Sequence, residues 1–224
     1  MKTDFSAAIF DLDGTIVDSM WIWKDIDMDY MGRHGIPYDE GLQAKIGGMS
    51  LRETAVYFQE NYGITDSIEE IQAEWNNMAM EYYRTKVPLK PGVLAYLRTL
   101  RGKGVRTGIA TSNSRELLDA VLDATGLREY MDSIHTACEI TRGKPAPDIY
   151  LLVADDLGVN PADCMVFEDI LQGIEAGHNA GMRVCSVYDA HAEAQMDEII
   201  AQSEYHIRDF TELLEDEGAL NESR

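Results

Sequence analysis

The chain has 224 residues, of which 45% are hydrophobic and 26% charged, with a formal net charge of −21. A chain of this length buries a sizeable core, as one large domain or a domain with an insert, and the balance excludes a disordered or fibrous class. With 40 acidic residues against 19 basic ones, no patch is expected to neutralise phosphates, so nucleic acid and anionic membranes are excluded as partners.

Residues 7–12 form a continuous apolar run, which predicts a strand buried on both faces of a parallel sheet. From 20 to about 86 the texture turns helical. Ile26, Tyr30 and His34 recur at helical spacing, as do Leu51, Ala55 and Phe58, and then Ile71, Trp75 and Met78. Gly35-Ile36-Pro37, Gly47-Gly48 and Gly63-Ile64 punctuate these stretches.

Past Pro88-Leu89-Lys90-Pro91-Gly92 the pattern alternates. It predicts a helix over 93–103, a strand over 105–111 and a helix over 115–124. A short strand at 133–138 and a helix at 147–157, capped by Asp148 or the preceding turn, come next. They are followed by a strand at 164–167, a helix at 172–180, a strand at 183–187, a weak strand at 205–207 and a terminal helix near 211–217. Strands alternating with helices imply an α/β fold with a doubly wound parallel sheet. The helical stretch after the first strand is too long for a connection, so it reads as an inserted all-helical cap domain spanning 19–87. The α/β core then comprises 1–18 and 88–224.

No run is long enough to span a membrane, and the apolar start meets aspartate too soon for a signal peptide. The three cysteines, Cys138, Cys164 and Cys185, show no CxxC spacing, which suits reduced thiols and a cytoplasmic location. The chain is taken as a monomer.

Ligands of open parallel sheets bind beyond the carboxyl ends of the strands. There the sequence places Asp11-Leu12-Asp13-Gly14-Thr15, Thr111-Ser112-Asn113 and Glu168-Asp169, with Lys144 in Gly143-Lys144-Pro145-Ala146-Pro147-Asp148. Each stretch alone reads as turn or cap chemistry, and Asn113 or Ser114 suits a helix cap. Together they describe a metal-assisted phosphoryl site. Crowded carboxylates stay ionised only around a cation, and an all-oxygen donor set suits Mg²⁺. A hydroxyl and an ammonium suit the other oxygens of a phosphoryl group, and a carboxylate is a competent nucleophile.

These four ordered motifs make the whole chain resemble the haloacid dehalogenase superfamily. The similarity is to the branch with a helical cap after the first strand, which includes phosphatases and β-phosphoglucomutase. The resemblance implies a Rossmann-like core, Mg²⁺ as cofactor and a small organic phosphate ester as substrate, a phosphosugar or a nucleotide. It implies that Asp11 is the nucleophile and Asp13 the general acid and base. Thr111, Ser112, Asn113 and Lys144 would bind phosphate. The metal would be held by Asp11, the backbone carbonyl of Asp13, and Asp169, with Glu168 ligating directly or through water.

Hydrolysis and phosphosugar transfer share this chemistry and differ in the acceptor. Where the mutase has a cap histidine twelve residues after the nucleophile, this chain has Trp23. A matching cap lysine is missing, and Arg52 is the candidate for the mutase's cap arginine. A Mg²⁺-dependent phosphatase is therefore expected, with the mutase as the alternative and a non-catalytic protein of the same fold as the remaining one. Trp23 and Arg52 are the expected cap residues facing substrate, and Trp21 is expected to pack.

Overall fold

The computed structural model describes residues 3–214. Strand β1 (Ala7–Phe10) is buried throughout. It is followed by helices α1 (Met20–Arg33), α2 (Leu42–Ile46), α3 (Leu51–Tyr62) and α4 (Ile68–Thr85). The chain then runs α5 (Val93–Gly102), β2 (Arg106–Thr111), α6 (Arg115–Thr125), β3 (Ser133–Thr136) and α7 (Asp148–Leu157). It continues through β4 (Cys164–Glu168), α8 (Leu171–Asn179), β5 (Arg183–Val187), α9 (Met196–Gln202) and β6 (Tyr205–Ile207).

All six strands are parallel, in the order β3-β2-β1-β4-β5-β6. The order reverses at β1, which places the switch point, and hence the ligand crevice, at its carboxyl end. Phe10 is in register with Ile109 of β2 and with Phe167 of β4. The residue after Phe10 therefore emerges level with Ala110 and Glu168.

Alternation along β1 sends Ala8 and Phe10 to one face of the sheet and Ala7 and Ile9 to the other. On the first face Phe10 stacks on Phe167 with ring centroids 4.8 Å apart, and Phe210 and Tyr96 close over them. On the second, α7 and α8 supply Ile149, Val153 and Ile174. Each face thus buries an apolar layer, as a parallel sheet requires.

In the helical insert Trp75 meets Tyr30 and Phe58 edge-on at 5.5 and 5.1 Å, and these side chains are continuous with the apolar layer on the Phe10 face of the sheet. Helices α3 and α4 of the insert each begin with a capping box, Ser50 with Glu53 and Ser67 with Glu70. The two connections to the sheet run side by side: Asp18 N–H donates to Pro88 O and Lys90 N–H to Ile16 O, both at 3.0 Å.

Several boundaries differ from expectation. Strand β1 ends at Phe10 rather than residue 12, because Asp11 and Asp13 belong to a turn closed by Gly14 N–H donating to Val17 O at 2.9 Å. Strand β3 stops at Thr136, where a 3-10 turn over Ala137–Glu139 begins. The cap position of α7 is Pro147, with no side-chain cap bond, whereas Ser114 does cap α6 through Leu117 N–H. Helix α9 and the short α2 were not expected. The terminal helix expected near 211–217 extends outside the described residues; 211–214 are helical. No helix among the described residues is long and apolar enough to cross a membrane. The cysteines are free, with Cys164 and Cys185 buried and Cys138 exposed.

Candidate active site

Asp11 leaves the end of β1 with its backbone N–H bonded to Phe167 O at 3.0 Å. The turn that follows needs Gly14, whose φ is +79° and where a Cβ would lie 2.2 Å from Asp169 Oδ2. Passing so close, the turn lets Thr15 Oγ1 donate to Asp169 Oδ1 at 2.8 Å. Asp169 Oδ2 is left buried without a partner among the described residues.

Lys144 enters from the loop before α7 and is buried between two carboxylates. Its Nζ lies 2.6 Å from Asp11 Oδ1 and 2.5 Å from Glu168 Oε1. Tyr150 Oη also donates to Glu168 Oε1, at 2.7 Å, while the N–H groups of Asp169 and Ile170 donate to Oε2 at 2.9 and 3.3 Å. Glu168 is thereby satisfied by protein groups. Gly173 makes room for it, since a Cβ there would fall 1.9 Å from Glu168 Oε1.

Asp11, Glu168 and Asp169 each offer an oxygen within 4.8 Å of the others. One lysine does not neutralise three buried carboxyls. Burial raises Asp11 to about 8 despite Lys144, and burial together with Glu168 raises Asp169 well above the carboxylate range. Burial opposes the charge on Lys144, but Asp11 and Glu168 outweigh it, raise its pKa and keep it cationic. The surplus negative charge, the all-oxygen donors and the orphaned Asp169 Oδ2 fit a hard divalent cation.

Asp13 faces the insert. Ser19 Oγ and Tyr83 Oη donate to its Oδ1, the serine at 2.6 Å, and Asn113 Nδ2 donates to Oδ2 at 2.9 Å. The direction of the Tyr83 bond is fixed by its other neighbours. Trp23 Nε1 and Asn113 Nδ2, both donors only, point at Tyr83 Oη from 2.9 and 3.0 Å. The Asn113 amide cannot be reversed, because its Oδ1 accepts from Ser114 N–H at 2.7 Å. The phenolic hydrogen therefore goes to Asp13. Burial raises the Asp13 carboxyl, and the Ser19, Tyr83 and Asn113 bonds work against that rise.

Asp11, Asp13, Asn113, Lys144 and Asp169 border a cleft of about 820 Å³ between the sheet edge and the insert, lined also by Thr111, Ser112, Trp21 and Trp23. Thr111 Oγ1 accepts from Asn113 N–H at 3.1 Å, so its own hydrogen is free for a ligand. Ser112 Oγ donates to Gly48 O of the insert at 3.1 Å. A second tie joins Gly143 N–H to Glu53 Oε1 at 3.2 Å.

The structure brings together Asp11, Asp13, Thr111, Ser112, Asn113, Lys144, Asp169 and Trp23 along the cleft, with Glu168 buried behind Lys144. It does not bring Arg52, which is exposed, pairs with Glu69 at 3.4 Å and lies off the cleft lining. Trp21 was expected to pack, yet it is 44% exposed and borders the cleft, with its indole N–H on Asp18 O and its ring edge-on to Tyr82. Sequence reasoning missed Ser19, Tyr83 and Tyr150, and in the insert Asp27, a buried carboxyl with Gln43 Nε2 at 2.5 Å. Burial raises Asp27 to about 7, against the Gln43 bond. Asp27 stands between Asp25 and Asp29 in α1, so nothing in the sequence singled it out.

Residues 8–187 match the profile of the haloacid dehalogenase-like hydrolase family. The chain is 32% identical over 177 residues to a phosphorylated carbohydrates phosphatase of Thermotoga maritima, covering 79% of this chain and 82% of that one. It is 30% identical to a bifunctional riboflavin kinase/FMN phosphatase of Arabidopsis thaliana, covering 89% of this chain but spanning 54% of that protein's length. The fold is similar to the crystal structure of CbbY from Rhodobacter sphaeroides in complex with phosphate. The TM-score is 0.82 at 22% identity, over 93% of this chain and 96% of that one.

Proposed function

The chain belongs to the haloacid dehalogenase-like hydrolase family, and on that premise we propose that it is a Mg²⁺-dependent phosphatase acting on small organic phosphate esters through an aspartyl-phosphate. The observation that carries this reading is Lys144 clamped between Asp11 and Glu168 at 2.6 and 2.5 Å, beside the unpartnered oxygen of Asp169.

Asp11 Oδ1 is committed to Lys144, which leaves Oδ2 to attack phosphorus. The bond from phosphorus to the ester oxygen breaks, and Asp13 gives that oxygen its proton. Asp13, now a carboxylate, takes a proton from water. The water oxygen attacks the phospho-aspartate, the bond from phosphorus to Asp11 breaks, and inorganic phosphate leaves. Thr111 and Lys144 hold the phosphoryl oxygens through both steps, whereas the Ser112 hydroxyl is taken by Gly48 O and both Asn113 amide hydrogens by Asp13 and Tyr83. Tyr83 and Ser19 hold the Asp13 carboxyl in place. Mg²⁺, held by Asp11, Asp169 and the Asp13 carbonyl, would offset the charge that gathers on the phosphoryl oxygens. Glu168, its oxygens already bonded, anchors Lys144.

Residues 1–18 and 88–224 form the catalytic core in this reading, and 19–87 a cap that opens about the paired connections near 16–19 and 87–91. Hydrolysis is preferred to mutase chemistry because Trp23 is tied to Tyr83 and Arg52 lies off the cleft. The free cysteines fit a cytoplasmic enzyme, read here as a monomer.

The test is release of inorganic phosphate from p-nitrophenyl phosphate with Mg²⁺ or with chelator, for wild type and Asp11→Asn. Turnover that needs both Mg²⁺ and Asp11 is expected. No turnover across a broad panel of phosphate esters would overturn the reading.

A further inference from the structure

The insert side of the cleft holds polar groups that the chemistry above does not use. Asp27, on α1, is 4% exposed, lines the cleft, and among the described residues has Gln43 as its hydrogen-bond partner. A carboxyl accepts several hydrogen bonds, and this one receives a single donor at Oδ2. Trp75, on α4, is 1% exposed and also lines the cleft, and its indole N–H has no partner among the described residues. Buried polar groups are ordinarily paired, so an open acceptor and an open donor on one wall of a cleft both ask for a ligand.

Hydroxyl groups supply both, one accepting from an N–H and another donating to a carboxyl. The neighbouring lining is apolar, with Trp23, Met49 and Leu51, which suits the C–H faces of a carbon chain or ring. A second anion would be poorly served. The acidic groups on this side are Asp18, Asp27 and Glu40, and the cation among them, Lys24, already lies 3.6 Å from Glu40.

We propose that Asp27, with Gln43 and Trp75, forms a subsite for a polyhydroxylated leaving group, a sugar or an alditol, in preference to one bearing a second phosphate or a carboxylate. The subsite rests on the phosphatase reading, because it names what is esterified to the phosphate held at Lys144.

The experiment compares kcat/KM for mannitol phosphate, 2-phosphoglycolate and p-nitrophenyl phosphate. Wild type is expected to favour mannitol phosphate over phosphoglycolate. Asp27→Leu is expected to lower the ratio of mannitol phosphate to p-nitrophenyl phosphate by about tenfold, mainly through KM, and Gln43→Leu to lower it less. The same substitutions on an Asp11→Asn background read binding without turnover, and Asp27→Leu should weaken mannitol phosphate by about tenfold there too. Ratios and affinities unchanged within twofold, in variants with wild-type circular dichroism, would overturn the subsite. If wild type releases phosphate from none of the three, the binding measurement still decides the subsite, and the phosphatase reading is decided separately by the broad ester panel.

Discussion

At the edge of the sheet, Lys144 is closed in by Asp11 and Glu168, and Glu168 is in turn closed in by Tyr150 and two backbone N–H groups. In the helical insert, among the described residues, Asp27 has a single amide partner and Trp75 N–H has none. Both regions bury polar atoms against the same cleft. Around Lys144 the sheet edge completes its own network and, among the described residues, leaves Asp169 Oδ2 open for a cation, while the insert leaves valences open toward the leaving-group side. A network that must hold one geometry through each turnover gains from being saturated, since every bond fixes another. A surface that recognises a leaving group gains from being unsaturated, because the ligand then supplies the missing partners. The two demands are met on different elements, and Tyr83 and Ser19 of the insert cross over to hold Asp13.

Breaking the saturated side should cost the most. Asp11→Asn removes the proposed nucleophile and should lower kcat by a factor of about 10³ or more in the phosphate-release assay. Lys144→Met leaves Asp11 and Glu168 buried without their cation. Turnover should fall about a hundredfold, and urea titration of the metal-free protein should show a loss of about 3 kcal/mol. A Lys144→Met protein as stable as wild type would mean that the clamp does not hold the fold together.

Tyr83→Phe keeps the ring and removes the hydrogen aimed at Asp13. It should cost about tenfold in kcat/KM for a sugar phosphate, whose alkoxide needs a proton to leave, and less for p-nitrophenyl phosphate, whose leaving group does not. An equal loss on both substrates would reduce Tyr83 to packing.

The unsaturated side should show itself in stability against pH. Asp27 is raised to about 7 in the folded protein, against about 4 unfolded. Its folded form therefore keeps a proton that the unfolded chain gives up. The stability this contributes is full below about pH 4 and is lost as pH rises through about 7, with a slope of up to about 1.4 kcal/mol per pH unit. Asp27→Asn should flatten the fall in stability between those limits in denaturant titrations, and an unchanged slope would count against the assignment. Smallest of all, Arg52→Ala should change kcat/KM by less than about twofold, because its guanidinium meets Glu69 in solvent rather than the cleft.

The same contrast explains what could be read before the fold was known. Asp11, Thr111 and Asp169 each stand at or just beyond a strand end, where the runs of β1, β2 and β4 announce them, and Lys144 stands in the Pro-rich turn before α7. A parallel sheet with its switch point at β1 then forces them together. Tyr83 gives no such notice. It sits at helical spacing beside Tyr82, like any aromatic at a buried helix position, and meets Asp13 only because α4 returns to the sheet 70 residues later. Ser19 reads as an N-cap, yet its hydroxyl is turned to Asp13 and makes no cap bond. Arg52 was expected from motif spacing, and α3 carries it to the outer face of the insert. Positions fixed by the sheet were legible because strand order constrains them. Those fixed by helix packing across the insert were not, since a one-residue turn of a helix moves a side chain from cleft to solvent.

The claim on which the others depend is that Asp11 carries the phosphoryl group. Rapid acid quench of the enzyme turning over a phosphate ester with Mg²⁺, followed by peptide mass spectrometry, tests it directly. A phosphoryl adduct on the peptide containing Asp11, present during turnover and absent in Asp11→Asn, is the expected result. Sustained phosphate release by Asp11→Asn, or an adduct mapped to any other residue, would contradict it.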